Sequence, residues 1–262
     1  MSLSREARWQ ALLALLVERG RLEVDPVAAE LGVSAATIRR DLDQLAEQQM
    51  LVRTRGGAVL HGVSYELPLR YRTSRRAAEK RRISEAVADL VDAGEVVGLT
   101  GGTTTTEVAR ALAARADLAE LGPPALTVVT NALNIAGELA VRPQFKIVLT
   151  GGVARPQSFE LTGPLAQSVL EQITVDTAVL GVDGFDVADG AATRHEDEAA
   201  VNRLLCARAR RVIVATDSSK LGLRAFARIC PTSAVDLLVT DAGLGDAGAR
   251  AFESAGVEVV RV

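Results

Sequence analysis

Seven short apolar runs between residues 95 and 260 constrain this chain most: EVVGLT, LTVVT, FKIVLT, DTAVLG, RVIVAT, VDLLVT and VEVV. Most of the segments between them carry helical periodicity. Strands alternating with helices predict an α/β domain with a mainly parallel sheet. Aromatic residues make up only 3% of the chain while hydrophobic residues reach 48%. The core must therefore be built from Leu, Val, Ile and Ala, which suits parallel strands covered on both faces. At 262 residues the chain is long for one core, and two domains are expected.

In an open α/β sheet the ligand crevice lies beyond the carboxyl ends of the strands. Small or polar residues follow the predicted strands at Gly101-Gly102, Asn131, Gly151-Gly152, Asp183-Gly184 and Asp217 through Lys220. These segments are expected to converge on one site. LTGGTTTTEV (99–108) has the layout of a phosphate cradle. Gly101 and Gly102 let backbone amides approach an anion, and Thr103, Thr104 and Thr105 add hydroxyls where a helix starts. The plain alternative is a strand-to-helix turn with threonine caps. Asn131 reads either as a helix cap or as a ligand contact. LTGG occurs twice, at 99–102 and 149–152, but the flanks differ, so it marks two strand-end turns and not a repeat.

The first sixty residues have another character. Residues 4–19 place Leu12, Leu13, Leu15 and Leu16 opposite charges and predict a helix ending before Gly20. Asp25-Pro26 predicts the start of a short helix through VAAEL. Ser34 is placed to cap a third helix, AATIRRDLDQLAEQ, with Ile38, Leu42 and Leu45 on one face. LVRTRGGAVL reads as two strands around Gly56-Gly57. Three helices and a hairpin make a winged helix-turn-helix. The third helix would show Ser34, Ala36, Thr37, Arg39 and Arg40 to a DNA major groove, and Arg53 and Arg55 would flank the wing turn. The net charge of −3 gives no global signal for nucleic acid, so such binding must rest on a local patch.

Residues 61–82 set seven Lys/Arg against two acids and run into a helix over roughly 76–92. A solvated hinge and a phosphate-backbone contact both fit this stretch. The expected division is 1–60 for the DNA reader, 61–78 for a basic linker, and 79–262 for the α/β domain. Cys206 and Cys230 have neither disulfide-framework nor zinc spacing and read as buried small hydrophobes. His61 and Trp9 read as surface residues, and His195 either as a turn residue or as a neighbour of the ligand mouth. No signal region and no run of about 18 apolar residues is seen, so a cytoplasmic protein with no membrane contact is expected.

Arg8, Leu12 and Leu16, followed by Ser34-x-x-Thr37-Ile38-Arg39-Arg40-Asp41-Leu42, resemble the signature of the DeoR-type (GlpR-like) bacterial transcriptional regulators. RTRGGAV resembles that family's wing, where a histidine commonly stands at the place of Arg55. Arg72, Lys80, GEVVGLTGGTTT, VVTNALNIA, VLTGG, GPLAQ, DTAVLGVDGFD, RRVIVATDSSKLG and LLVTD resemble its C-terminal sensor domain, which is similar in fold to sugar-phosphate isomerases. The resemblance implies a repressor of carbohydrate catabolic genes that binds double-stranded operator DNA and is controlled by a phosphorylated sugar, with no cofactor or metal. Thr100 departs from the aspartate that family members often carry.

In VDGFD the resemblance makes Asp183 and Asp186 candidates for base or hydroxyl contact, with Lys220 balancing an anionic ligand. Phe185 and Val187 break the isomerase pattern, and a bulky Phe185 would fill substrate space, so a sensor and not an enzyme is expected. The rivals are an active sugar-phosphate isomerase or deaminase tethered to DNA, and a DNA-architectural protein with an inert C-terminal domain. Paired operator half-sites imply a homodimer or homotetramer.

Overall fold

In the computed structural model, residues 4–47, 50–59 and 76–262 are described. The chain divides into two compact units, Met1–Arg75 and Arg76–Val262. The linker residues 61–75, including His61, Arg70, Arg72 and Arg75, lie outside the described residues.

The N-terminal unit opens with α1 (Arg5–Arg19). Ser4 caps it, accepting a hydrogen bond from the Ala7 amide, and Gly20 ends it in the left-handed region at φ 72°. A short strand that the sequence reading did not anticipate follows, β1 (Arg21–Glu23). α2 (Val24–Glu30) starts earlier than Asp25-Pro26 suggested. Glu23 is its cap, and Pro26 falls inside the first turn, where its missing N–H has no helical partner to lose. α3 (Ala35–Glu47) follows Ser34, whose hydroxyl accepts from the Thr37 amide at 3.2 Å. β2 (Val52–Thr54) and β3 (Gly57–Val59) form the expected hairpin, and β1 joins it on the β3 side. Gly57 is required there, because a Cβ would stand 1.9 Å from the Leu22 carbonyl oxygen. Leu12, Leu13, Leu16, Leu22, Val27, Ile38, Leu42 and Leu45 are all buried in one core.

The C-terminal unit begins with α4 (Ala77–Asp89), β4 (Val96–Leu99), α5 (Thr103–Ala114) and α6 (Ala116–Glu120). β5 (Leu126–Thr130), α7 (Leu133–Leu139) and β6 (Phe145–Leu149) continue it. A small hairpin, β7 (Val153–Ala154) and β8 (Leu161–Thr162), precedes α8 (Pro164–Leu170) and β9 (Val175–Leu180). Then come β10 (Gly184–Asp186), β11 (Gly190–Thr193), α9 (Glu196–Ala207) and β12 (Ala209–Ala215). β13 (Ala227–Cys230), β14 (Leu237–Thr240), α10 (Asp246–Ser254) and β15 (Glu258–Arg261) complete it.

All seven anticipated strands form one parallel sheet, in the order β15-β14-β12-β9-β4-β5-β6. Side chains alternate across it. Val179, Ile213, Leu237 and Val239 pack in one cluster with Ile83, Val87 and Leu112 of α4 and α5. Their neighbours Ala178, Leu180, Val214 and Leu238 pack in another with Leu170, Leu205 and Phe252 of α8, α9 and α10. Burial on both faces explains why the strands read as continuous apolar runs. An antiparallel sheet β10-β11-β13 stands apart from the main one and was not anticipated. From β4 the chain winds outward through β5 to β6, and then returns to the other side of β4 as β9. The topological switch point therefore lies between β4 and β9, the place where open α/β sheets bind ligands.

Candidate functional site

At the switch point, Thr100 follows β4 and Gly181 follows β9. The Gly181 amide donates to the Thr100 hydroxyl at 2.9 Å, and Thr100 is fully buried. Thr100 thus ties the two strands together. Gly102 adopts φ 125°, and α5 begins directly after it. The hydroxyls of Thr105 and Thr106 both donate back to the Gly102 carbonyl, at 3.1 and 2.6 Å, and so brace the turn. Thr104 is buried, whereas Thr103 is partly open. The amides of the first turn of α5 are left without helical acceptors, as at any helix start.

Around this turn the structure gathers Asn131 after β5, Asp183 after β9 and the Asp217–Lys220 turn after β12. Asn131 is buried and its Nδ2 donates to Glu160 at 3.1 Å, while its Oδ1 has no partner among the described residues. Asp183 accepts from the Thr193 hydroxyl at 3.0 Å and from the Arg194 amide and guanidinium, both at 3.3 Å. Lys220 donates to the carbonyl of Val182, next to Asp183. Gly184 sits close beneath the Leu223 carbonyl, with no room for a Cβ.

Three anticipated contributions differ. Asp186 lies at the opposite end of β10 from Asp183, and its carboxylate accepts from the Ala188 and Asp189 amides, so it caps a hairpin turn. Phe185 does not occupy the crevice: it is fully buried, and its ring lies 4.7 Å from that of Phe252 in the core. Gly151 and Gly152 follow β6 at the sheet edge; a Cβ on Gly152 would stand 2.6 Å from the Thr162 carbonyl, so Gly152 serves the close approach to β8.

Other residues at the strand ends went unanticipated. Glu160 is buried, and its side chain fills the space over Gly101. Arg155 contacts His195 at 2.6 Å and pairs with buried Glu198 at 3.1 Å. Thr130, Thr150, Thr216 and Thr240 end or follow their strands as Thr100 does, all of them buried. The signal was present in GLTG, VVTN, VLTG, VATD and LVTD, where each strand closes on a threonine. The hydroxyls of Thr216 and Thr240 have no partner among the described residues.

Asp241 follows β14 and accepts from the Ser218 amide at 2.6 Å, the Ser218 hydroxyl at 2.9 Å and the Gly243 amide at 2.9 Å. Burial pushes its pKa up. The amides of Ser218 and Gly243, the Ser218 hydroxyl and the Arg76 charge outweigh that and hold it below the usual carboxylate value. A depressed folded pKa gives stability that is complete above the unfolded value and is lost as pH falls through the folded one. Acid unfolding followed by circular dichroism from about pH 4 downward is therefore expected to be shallower in Asp241→Asn than in the native chain. Identical acid limbs would show that Asp241 does not contribute. Arg76, at φ 51°, also lies 3.5 Å from Asp217.

In the N-terminal unit, Arg39 and Arg40 are exposed on α3 and Arg55 is exposed beside Gly56 at the hairpin tip. Among the described residues none of the three side chains makes a hydrogen bond or ion pair. Ser34 and Ala36 are exposed, and the Ser34 and Thr37 hydroxyls are 2.8 Å apart. Arg53 is engaged elsewhere: it pairs with Asp43 at 2.7 Å and donates to the Gly57 carbonyl, bracing the hairpin against α3. Behind the exposed face, buried Asp41 accepts from Arg8 and from the Trp9 indole N–H at 3.0 Å. Trp9 thus has a structural partner that its surface reading lacked.

A winged helix with exposed arginines on its third helix, in one chain with a doubly wound α/β unit, is the plan of a DNA-binding regulator with a second domain. Residues 8–62 match the DeoR-like helix-turn-helix domain, and residues 75–242 match the DeoR C terminal sensor domain. The chain belongs to the DeoR family of transcriptional regulators. It is 33% identical over 236 residues to the glycerol-3-phosphate regulon repressor of Escherichia coli K12, covering 90% of each chain. It is 32% identical over 257 residues to the HTH-type transcriptional repressor GlcR of Bacillus subtilis, covering 98% of this chain and 96% of that one. These relatives are named as repressors and not as enzymes. Ribose 5-phosphate isomerase A of Methanocaldococcus jannaschii is similar over 54% of this chain and 53% of its own, with 20% identity and a TM-score of 0.40. Among the described residues no helix is long and apolar enough to cross a membrane.

Proposed function

We propose that this chain is a repressor whose hold on operator DNA is controlled by a phosphorylated sugar bound at the carboxyl ends of its parallel strands. The observation that carries this reading is Asn131 Oδ1 at the end of β5, a buried polar atom that has no partner among the described residues and sits one strand from the Gly101-Gly102 turn that opens α5. Buried polar groups are normally satisfied, and a ligand hydroxyl would satisfy this one. The amides following Gly102 suit its phosphate, with Thr103 at the open edge. Asn131, Asp183 and Lys220 suit its hydroxyls and charge. The name of the glycerol-3-phosphate regulon repressor supports a phosphate ester as the ligand class. The protein works as a homodimer or homotetramer on paired half-sites.

Thermal melting of the full chain against a panel of sugar phosphates, each paired with its unphosphorylated sugar, tests the reading. One phosphate ester is expected to raise the melting temperature, with a stabilisation near 2.7 kcal/mol at a hundredfold excess over its Kd, and to release operator DNA. Equal shifts from the neutral sugar, or none from any ester, would reject a phosphate-recognising site.

On the DNA side, Arg39→Ala is expected to weaken operator binding by about 1–3 kcal/mol if Arg39 reads a base edge. Fluorescence anisotropy on operator and scrambled duplexes checks this. Equal losses on both duplexes would reassign Arg39 to the phosphate backbone.

A further inference from the structure

Cys206 lies in the last turn of α9 and Cys230 at the end of β13. They are far apart in sequence, yet their thiols lie side by side in the same apolar cluster. Arg203, one turn before Cys206, clamps the two segments together: its guanidinium donates to the carbonyls of Ile229, at 3.3 Å, and Arg228. Both cysteines line a cavity of about 450 Å³, together with Arg203, Arg210 and Arg228. Both are largely buried, at 7% and 4% exposure. An enclosed thiol pair at a small opening, with three arginines and Asp236 around it, differs from a lone cysteine used as packing.

We propose that Cys206 and Cys230 are a redox modification site, closed to an intramolecular disulfide by a small hydroperoxide that enters the arginine-lined cavity. The two thiols are not equivalent. Cys206, the more open of the two toward the cavity, is the attacking thiol and Cys230 the resolving thiol.

The Cys206 thiolate attacks one oxygen of hydrogen peroxide, the O–O bond breaks, and hydroxide leaves with the proton that Cys206 gave up, as water. The sulfur is oxidised to a sulfenic acid and the peroxide is reduced. The Cys230 sulfur then attacks the Cys206 sulfur, the S–O bond breaks, and the Cys230 proton leaves with the hydroxyl as a second water. The net change is two thiols and one peroxide to one disulfide and two waters.

The bond would pin α9 to β13. The first turn of α9 carries Glu198, the partner of Arg155, and β13 pairs with β11, whose Thr193 holds Asp183. That it would alter effector response rests on the proposed ligand site; that it forms does not.

The full chain is treated with hydrogen peroxide, digested without reduction and analysed by mass spectrometry, with free thiols counted in parallel. Expected is loss of both thiols together, one linked peptide pair carrying Cys206 and Cys230 within a single chain, and recovery with dithiothreitol. In Cys230→Ser, dimedone is expected to trap a sulfenic acid on Cys206; in Cys206→Ser, Cys230 is expected to stay reduced. Two thiols persisting in the folded, oxidised chain, or linkage only between chains, would overturn the proposal whatever any sugar phosphate does. Cys230 reacting alone in Cys206→Ser would overturn the assigned roles.

Discussion

Asp41→Ala is expected to cost the N-terminal unit about 3–5 kcal/mol, the loss that follows when one partner of a buried ion pair is removed. Asp41 is 3% exposed on the inner face of α3 and holds Arg8 and Trp9 of α1. Alanine removes the Asp41 acceptor shared by the Arg8 guanidinium and the Trp9 N–H in a site that water reaches poorly. A unit this small has a margin of only several kcal/mol, so its fold and its operator binding are expected to fail together. Trp9 is the only tryptophan in the chain, so its emission during urea unfolding reports on this unit alone. Asp41→Asn keeps an amide oxygen as acceptor but removes the carboxylate charge, and is expected to fall between the native chain and Asp41→Ala. An unchanged midpoint of Trp9 emission in Asp41→Ala would mean that the α1–α3 contact is held by Leu12, Leu16, Ile38 and Leu42 alone.

The sequence carried the frame well because its signals are local. The parallel strands declare themselves as short apolar runs, since each is buried on both faces, and Ser4, Gly20 and Ser34 mark helix ends through backbone chemistry. β1 did not declare itself: RLE is short and polar on its outer face, and only its pairing with β3 makes it a strand. The β10-β11-β13 sheet was hidden for the same reason, as GFD and GAAT carry no apolar run. At the ligand side, residues directly after strands were legible through the rule of strand ends. Glu160 and Arg155 were not, because they enter through the β7–β8 excursion, which periodicity does not place. Asp186 was misplaced because three residues of strand carry it to the far end of β10. Arg53 looked free beside a Gly-Gly turn, but a long side chain on a hairpin reaches back as easily as out.

Gly101→Val is expected to abolish the melting shift caused by a sugar phosphate while leaving operator binding by the winged helix intact. A Cβ at Gly101 would stand 2.2 Å from Cγ and 2.4 Å from Cδ of Glu160. Glu160 cannot simply swing away: it is 5% exposed, it accepts from Asn131, and its backbone bridges to Ala132. Relief therefore displaces Asn131 as well, at a cost to the unit of about 1–3 kcal/mol for overpacking. Because Thr100 and Gly181 fix β4 to β9 at this point, the strain falls on the start of α5, where the phosphate amides are proposed to lie. Gly137→Ala is the matching control. Gly137 is exposed in α7, nothing lies within 4 Å of its added Cβ, and a gain of about 0.5–1 kcal/mol is expected with the ligand shift unchanged. Melting of both variants with and without the active ester, alongside anisotropy on operator DNA, separates the cases. A full ligand shift in Gly101→Val would place the ligand away from the β4–β9 switch point. Joint loss of ligand shift and operator binding would mean that the turn supports the whole fold.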